Sequence, residues 1–364
     1  MPPTRKSRPA PAGSASTLEG FLHALPKAEL HLHLEGSVEP QTLRELAGAK
    51  GRLEKETEEW IGRQEGRGFR YGSFGEFLDA FKRVTLLLES PADYALITTR
   101  LLERLAAGNV RYAEITLSAG VILWKKQPLP EIFEAIAEAA RKFPSRSRLR
   151  VKWIFDAVRQ FGPDHAREAL GWARIFRDDD VVAFGIGGDE ERGPASLFTA
   201  IYREAKDLGL HVTAHAGESG GPESVREAVE LLDAERIGHG LAAARDPGVM
   251  ALLRDRKVPL EVCLTSNVAT GLIARVEDHP LRQFLDAGLQ VTLSTDDPAM
   301  FSTSLERELG LARRAFSLSQ DEIAGVMRNA ILASFDSEDG KQSLLGEFER
   351  VIRNTQEPRA ALNS

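Results

Sequence analysis

The sequence predicts an α/β protein built as a single (β/α)8 TIM barrel, with a helical insertion after the first strand capping the active-site mouth. Three observations lead there. Short β-rich runs alternate with helical patterns, the order expected of a parallel sheet whose crossovers are helices. There are eight such runs. Residues with metal-binding side chains gather at the C-terminal ends of the runs, and in such a barrel those ends converge on one mouth.

The strand runs are residues 28–34, 110–117, 149–155, 181–186, 211–215, 235–239, 258–264 and 289–294. Helical patterns fall between them at 131–142, 163–175, 197–208, 222–232, 247–254 and 281–287. The gap between the first two runs is far longer than the others, and its residues 74–88 read as a helix of the capping insertion. The charged stretch 52–67 in the same gap reads as solvated surface. The basic run 141–150 reads as a surface turn before a strand rather than a phosphate site. The 364 residues fit one barrel of this kind. Residues 1–17 are Pro, Ala, Ser and basic residues, without the apolar stretch of a secretory signal. An organelle transit peptide is one reading of them. A disordered tail is the other, because the segment has nothing to bury. Residues 355–364 read as a second tail, which leaves 18–354 as the barrel domain.

Composition excludes several functions. Net charge is −7 and the isoelectric point is near 5.8, which argues against a surface for nucleic-acid phosphates. No run of ~18 apolar residues is present to span a membrane. The single cysteine, Cys263, forbids an intramolecular disulfide and a Cys-rich zinc module, and fits a reducing, cytoplasmic compartment. The expected partner is a small molecule.

The chemistry lies at the strand ends. His31 and His33 are i and i+2 on a strand and share one face, so the pair can hold a metal ion. Two packed histidines are the competing reading of that pair alone. His215 and Asp296 bring a third nitrogen and an oxygen from other strand ends. Three neutral imidazoles and a carboxylate suit one zinc, with a position left for water. The resulting charge of about +1 at the metal lowers the pKa of that water. Glu218 follows His215 by three residues and can curl back over the mouth. A glutamate beside a metal can carry a proton near neutrality; Glu218 reads equally as the first-turn acid of the next helix. His239 lies between Gly238 and Gly240, which let the backbone approach closely and leave the imidazole facing the cavity. By itself it reads as a core histidine. Asp296 and Asp297 are adjacent and point differently, so one can bind metal while the other faces a ligand. Asp297 also reads as a helix cap before Pro298. Residues 185–190, Gly-Ile-Gly-Gly-Asp-Glu, lack both GxGxxG and a Walker lysine. They read as a strand-end turn whose backbone N–H can face a ligand.

Taken in order, five motifs resemble the adenosine deaminase branch of the metal-dependent amidohydrolases. They are Leu-Pro-Lys-Ala-Glu-Leu-His-Leu-His-Leu-Glu-Gly at 25–36, His-Ala-Gly-Glu at 215–218, Arg-Ile-Gly-His-Gly at 236–240, Glu-Val-Cys-Leu-Thr-Ser-Asn at 261–267 and Ser-Thr-Asp-Asp-Pro at 294–298. The resemblance spans roughly residues 18 to 350. It implies the same barrel, one zinc ion per chain and hydrolytic deamination of a 6-aminopurine. By motif, His31, His33, His215 and Asp296 would bind zinc. Glu218 would protonate N1, and His239 would orient or deprotonate the water attacking C6. Asp297 would bond to N7 and the Gly188 N–H to N3. Phe77, Leu78 and Phe81 match the helix that closes over the ribose. Glu35 stands where the family usually carries an aspartate contacting the ribose 5′ end, a departure that opens the question of the 5′ group.

Adenosine or deoxyadenosine is the expected substrate. The alternative is 6-aminodeoxyfutalosine, a nucleoside intermediate of menaquinone synthesis, with adenine third. A nucleoside is placed ahead of adenine on two features. Gly187-Gly188-Asp189-Glu190 resembles the Ala-Gly-Asp-Glu turn of adenosine deaminases more than the Asp-Ser-Ser-Glu type of the adenine branch. The apolar face of Phe77, Leu78 and Phe81 can cover a ribose. Two rivals remain. A binuclear amidohydrolase commonly needs a bridging lysine at the fourth strand end, and residues 181–190 contain none. A catalytically silent purine-binding protein would have no reason to keep the whole ligand and acid–base set. Cysteine-ligated zinc deaminases are excluded by the cysteine count.

Overall fold

The computed structural model describes residues 14–65 and 70–356. Eight strands follow one another around a parallel sheet: β1 (Lys27–His33), β2 (Val110–Leu117), β3 (Arg150–Val158), β4 (Val181–Gly187), β5 (His211–Ala216), β6 (Arg236–His239), β7 (Leu260–Val262) and β8 (Val291–Leu293). Each pairs in parallel with the next. The ring closes through main chain beyond β8: His33 N–H donates to the Asp296 carbonyl at 2.8 Å and Asp296 N–H to the His31 carbonyl at 3.0 Å. This closure sets a metal-binding candidate from each end of the barrel side by side.

The strands are covered on both faces, so their sequences are nearly continuous apolar runs. In β2, for example, Val110, Tyr112, Ala113, Ile115 and Leu117 are all buried. Outer helices bury one stripe each. The Pro163–Ile175 helix begins with Pro at its first turn, where a missing N–H costs nothing, and buries Ala166, Ala169, Leu170 and Ala173, an i, i+3, i+4, i+7 face. Beneath the mouth the interior is charged. Arg236 is buried and donates to Glu261 at 2.5 Å and to Glu114. Burial of such ions is tolerated only when they are paired and hydrogen-bonded.

Several boundaries differ from expectation. β3 runs on to Val158, three residues past the apolar run, because Asp156 and Val158 face the mouth. The 258–264 run is strand only over Leu260–Val262; a short helix, Leu264–Ala269, begins where strand was expected. Between β1 and β2 lie four helices, Pro40–Ala49, Lys55–Arg63, Phe74–Leu87 and Pro91–Ala107. The charged stretch expected to be solvated buries Trp60 and Ile61 within Lys55–Arg63. Three helices after β8, Leu305–Phe316, Gln320–Ala333 and Glu338–Gln356, were not anticipated. Helices reach into both expected tails, starting at Ser14 and ending at Gln356; the rest of those tails lies outside the described residues. In the basic run, Arg148 pairs with Glu347 and Arg150 with Asp336, an ion-paired surface. No helix among the described residues is long and apolar enough to cross a membrane.

Candidate active site

Ligand atoms of His31, His33, His215 and Asp296 all lie within 4.8 Å of one another. Nε2 of His31 and Nε2 of His33 are each 3.3 Å from Oδ1 of Asp296. A tetrahedral ion with bonds of about 2.05 Å sets its ligand atoms about 3.3 Å apart. His31 Nε2 is also buried without a hydrogen-bond partner, a cost that coordination removes. The outer faces of the imidazoles are held. His31 Nδ1 is 2.8 Å from Glu261 Oε2, and His215 Nδ1 is 3.2 Å from the Ile186 carbonyl. Such partners fix the ring so that the other nitrogen faces the metal. Ser266 Oγ donates to Asp296 Oδ2 at 2.7 Å. The donor set fits a divalent metal.

Glu218 and His239 flank this cluster on its open side. His239 Nε2 is 3.6 Å from Glu218 Oε1, 3.9 Å from Asp296 Oδ2, and has no hydrogen-bond partner. Its Nδ1 lies 3.2 Å from Asn267 Nδ2, and Asn267 Oδ1 is 3.2 Å from His279 Nε2. His239 and Asp296 both hold left-handed backbone, φ 62° and 64°, a strain of order 1 kcal/mol or more each that collects at functional sites. The electrostatics separate the groups. Burial, then the Asp296 charge, push Glu218 well above the usual carboxylate range. The same two causes raise Asp297. Burial alone would raise Asp296 as well, but His31 and His33 beside it hold it well below. Burial pushes His239 down to about 3.

These groups open onto a pocket of about 580 Å³. Among the residues expected at the substrate, Phe77, Leu78, Phe81, Gly188 and Asp297 line it. Asp297 Oδ1 is buried and unpartnered. Glu35 behaves differently: it lies outside that wall, its Oε1 accepting the Ser118 N–H at 3.1 Å, with burial raising its pKa to about 7. Four further residues were not singled out from sequence. The Glu190 carboxylate accepts N–H bonds from Gly217, Glu218, Ser219 and Gly220, at 2.7, 2.9, 2.8 and 3.1 Å, and so shapes the turn that carries Glu218. Gly36 abuts Asp297, leaving no room for a Cβ. Asp156 and Gln160 line the pocket from the β3 side. Only the Gly-Gly-Asp-Glu turn hinted at Glu190; Asp156 gave no signal beyond a lone acid in an apolar run.

The same pocket has an aromatic section besides the groups above. Beyond the Phe74–Leu87 helix its wall includes Trp124 and Phe161, stacked with centroids 5.7 Å apart and planes at 13°. Trp124 is 44% exposed. Lys82 Nζ lies 5.6 Å from the Trp124 ring, and Arg192, paired with Asp189 at 3.4 Å, also lines the pocket.

A family profile described as adenosine deaminase matches residues 26–351. An aminodeoxyfutalosine deaminase of Streptomyces coelicolor is 35% identical over 339 residues, covering 91% of this chain and 86% of that protein. An adenine deaminase of Rhizobium leguminosarum bv. trifolii is 34% identical, covering 89% of this chain and 99% of its own. Among solved structures, an amidohydrolase from Burkholderia ambifaria with bound zinc superposes with a TM-score of 0.85 at 28% identity, over 98% of both chains.

Proposed function

The chain belongs to the adenosine deaminase family, and from that premise we propose that it is a zinc-dependent hydrolase that removes the 6-amino group of 6-aminodeoxyfutalosine. The observation that carries the choice of substrate is the stacked Trp124–Phe161 pair at the outer end of the pocket. Adenosine or adenine would leave this pair facing water. The aryl ketone that extends the 5′ end of aminodeoxyfutalosine has a flat face to lay against it, and Lys82 offers charge to any anionic substituent there. Glu35 fits the same reading. Its carboxyl is turned onto Ser118 rather than toward a 5′-hydroxyl, a group this substrate lacks. The adenosine expected from sequence therefore gives way to its alternative, in line with the Streptomyces relative.

A zinc ion held by His31, His33, His215 and Asp296 would supply a water acidified to near neutrality. The chain's own groups do the rest. Glu218, kept protonated by burial, gives its proton to N1 and makes C6 more electrophilic. His239, kept neutral, accepts a proton from the attacking water. Asp297, also kept protonated, can donate to N7, which has only a lone pair to offer. Oxygen adds to C6; the C6–N bond then breaks as the amine takes the proton held on His239 and leaves as ammonia, and the proton of the C6 hydroxyl returns to Glu218 as the C6 carbonyl forms.

The test is kcat/KM on aminodeoxyfutalosine, adenosine, 5′-deoxyadenosine and adenine. The expected order puts aminodeoxyfutalosine first. Trp124→Ala should lower its value about 3- to 10-fold, the worth of one aromatic contact, and leave adenosine unchanged. A wild-type preference for adenine overturns the assignment.

A further inference from the structure

Asp156 is the one buried acid on the pocket wall that the mechanism leaves without a task; Asp79 and Asp189, which also line it, are not buried. It lies in the C-terminal half of β3, is 6% exposed, and lines the pocket. No hydrogen bond reaches its carboxylate from any described residue. The nearby Arg159 is spent elsewhere, donating to the Gly193 and His215 carbonyls at 2.7 and 2.6 Å. A buried carboxyl normally has partners, and one that lacks them in the protein is placed for a ligand.

Its seat is built for it. Asp156 is the register partner of Gly185 on β4, and Val158 that of Gly187. A Cβ on Gly185 would stand 2.8 Å from Asp156 Oδ1, and one on Gly187 3.0 Å from Oδ2. Any side chain at either position would crowd the carboxylate. Gly185 and Gly187, expected from sequence in a strand-end turn, lie in the last residues of β4 and make room there for a carboxylate.

Direction narrows the partner. The groups that act on C6, N1 and N7 come from the ends of β1, β5, β6 and β8. Ser118, Asp156, Gln160 and Gly188 form the wall on the β2–β4 side. With the 6-amino end held at the metal ligands and Glu218, the N9 edge and its sugar turn toward that wall. In a nucleoside neither N3 nor N9 carries a proton. The sugar hydroxyls are then the ligand's N–H or O–H donors on that side, and 2′ and 3′ are those that remain when the 5′ position carries another group.

We propose that Asp156 is a specificity-determining residue that accepts a hydrogen bond from the 2′- or 3′-hydroxyl of the nucleoside substrate. The proposal rests on the nucleoside reading given above. The Gly185 and Gly187 gaps fix the carboxylate, so the hydroxyl it meets is a matter of ligand pose rather than of side-chain rotamer.

The experiment measures kcat/KM for wild type, Asp156→Ala and Asp156→Asn on adenosine, 2′-deoxyadenosine, 3′-deoxyadenosine and adenine, with melting temperature and zinc content as controls. Burial pushes the Asp156 carboxyl up to about 8, so near neutrality Asp156→Ala should lose roughly 3- to 10-fold on adenosine, the worth of a hydrogen bond between neutral groups. It should lose less than about 3-fold on the one deoxynucleoside that lacks the contacted hydroxyl, because there the partner is already missing. Asp156→Asn keeps an acceptor oxygen in the same shape and should fall between. Equal losses on adenosine and both deoxynucleosides, with the wild type still preferring nucleosides, overturn the role of Asp156 alone. A wild-type preference for adenine overturns the nucleoside reading on which it stands.

Discussion

Replacing Gly36 by alanine tests whether the purine-facing carboxylate works by position. A Cβ built on Gly36 falls 1.6 Å from Asp297 Oδ1 and 2.3 Å from its Cγ. Side-chain carbons do not approach an oxygen closer than about 3.0 Å, so the carboxylate must retreat by about 1.4 Å or swing to another rotamer. Gly36 itself has no special backbone need; it lies in the short Glu35–Ser37 helical turn. The cost therefore falls on Asp297. Misplacing a positioned group by 1 Å can cost on the order of 10²-fold, so Gly36→Ala should lower kcat/KM about 100-fold. Asp296 is fixed separately, by its backbone bonds to His31 and His33 and by Ser266, so zinc content should hold. Ammonia release gives the rate, elemental analysis the zinc, and calorimetry the folded state. A folded, zinc-loaded Gly36→Ala protein within 3-fold of wild type would refute the argument that Asp297 must sit where it does.

The remaining expectations concern the acid, the metal and the turn. Glu218→Gln should lower kcat by about 10² to 10⁴-fold while substrate still binds, because the amide keeps the shape but has no proton to give; a tenth of wild-type kcat would contradict the role. The pH profile should follow from the raised pKa of Glu218: the proton is present below that pKa and lost above it, so kcat falls on the alkaline side, whereas His239, at about 3, stays neutral through the acidic range down to that value. An alkaline limb unchanged in shape in Glu218→Gln would assign it to another group. Elemental analysis should find one zinc per wild-type chain and a marked loss in His33→Ala; two metals would contradict the four-ligand site. Glu190→Ala strips four N–H groups of their acceptor, so kcat and melting temperature should both drop; an unchanged kcat would show that Glu218 holds its place without the anchor.

The barrel and its metal ligands were legible because both are written in local pattern. Alternating runs gave the strands, and i, i+2 spacing put His31 and His33 on one face. Strand order then brought His215 and Asp296 to the same mouth without any need for distances. What escaped was set by partners far apart in sequence. Glu190 reads as a turn acid until four N–H groups some 30 positions later converge on it. Glu35 reads as a ligand contact until Ser118 captures it. Gly36 reads as flexibility until Asp297 is seen lying against it. Trp124 and Phe161 belong to separate units, and only their stacking marks the far end of the pocket. Strand and helix boundaries near β7 slipped because an apolar run does not distinguish a buried strand from a buried short helix.

The site also sorts four titratable groups by letting them press on one another. Glu218, Asp296 and Asp297 crowd one dry mouth, where three like charges cannot all persist. Asp296 stands beside His31 and His33, so it takes the negative charge. That charge, added to burial, keeps Glu218 and Asp297 protonated. His239, buried as deeply and 3.9 Å from Asp296, stays neutral. On the function proposed above, that leaves one anion for a metal, two proton donors and one base. A 6-aminopurine presents lone pairs at N1 and N7 and needs an attacking water relieved of a proton. Two neutral carboxyls and a neutral imidazole match those three demands at one pH, and the environment of each group, rather than its residue type, decides which task it takes.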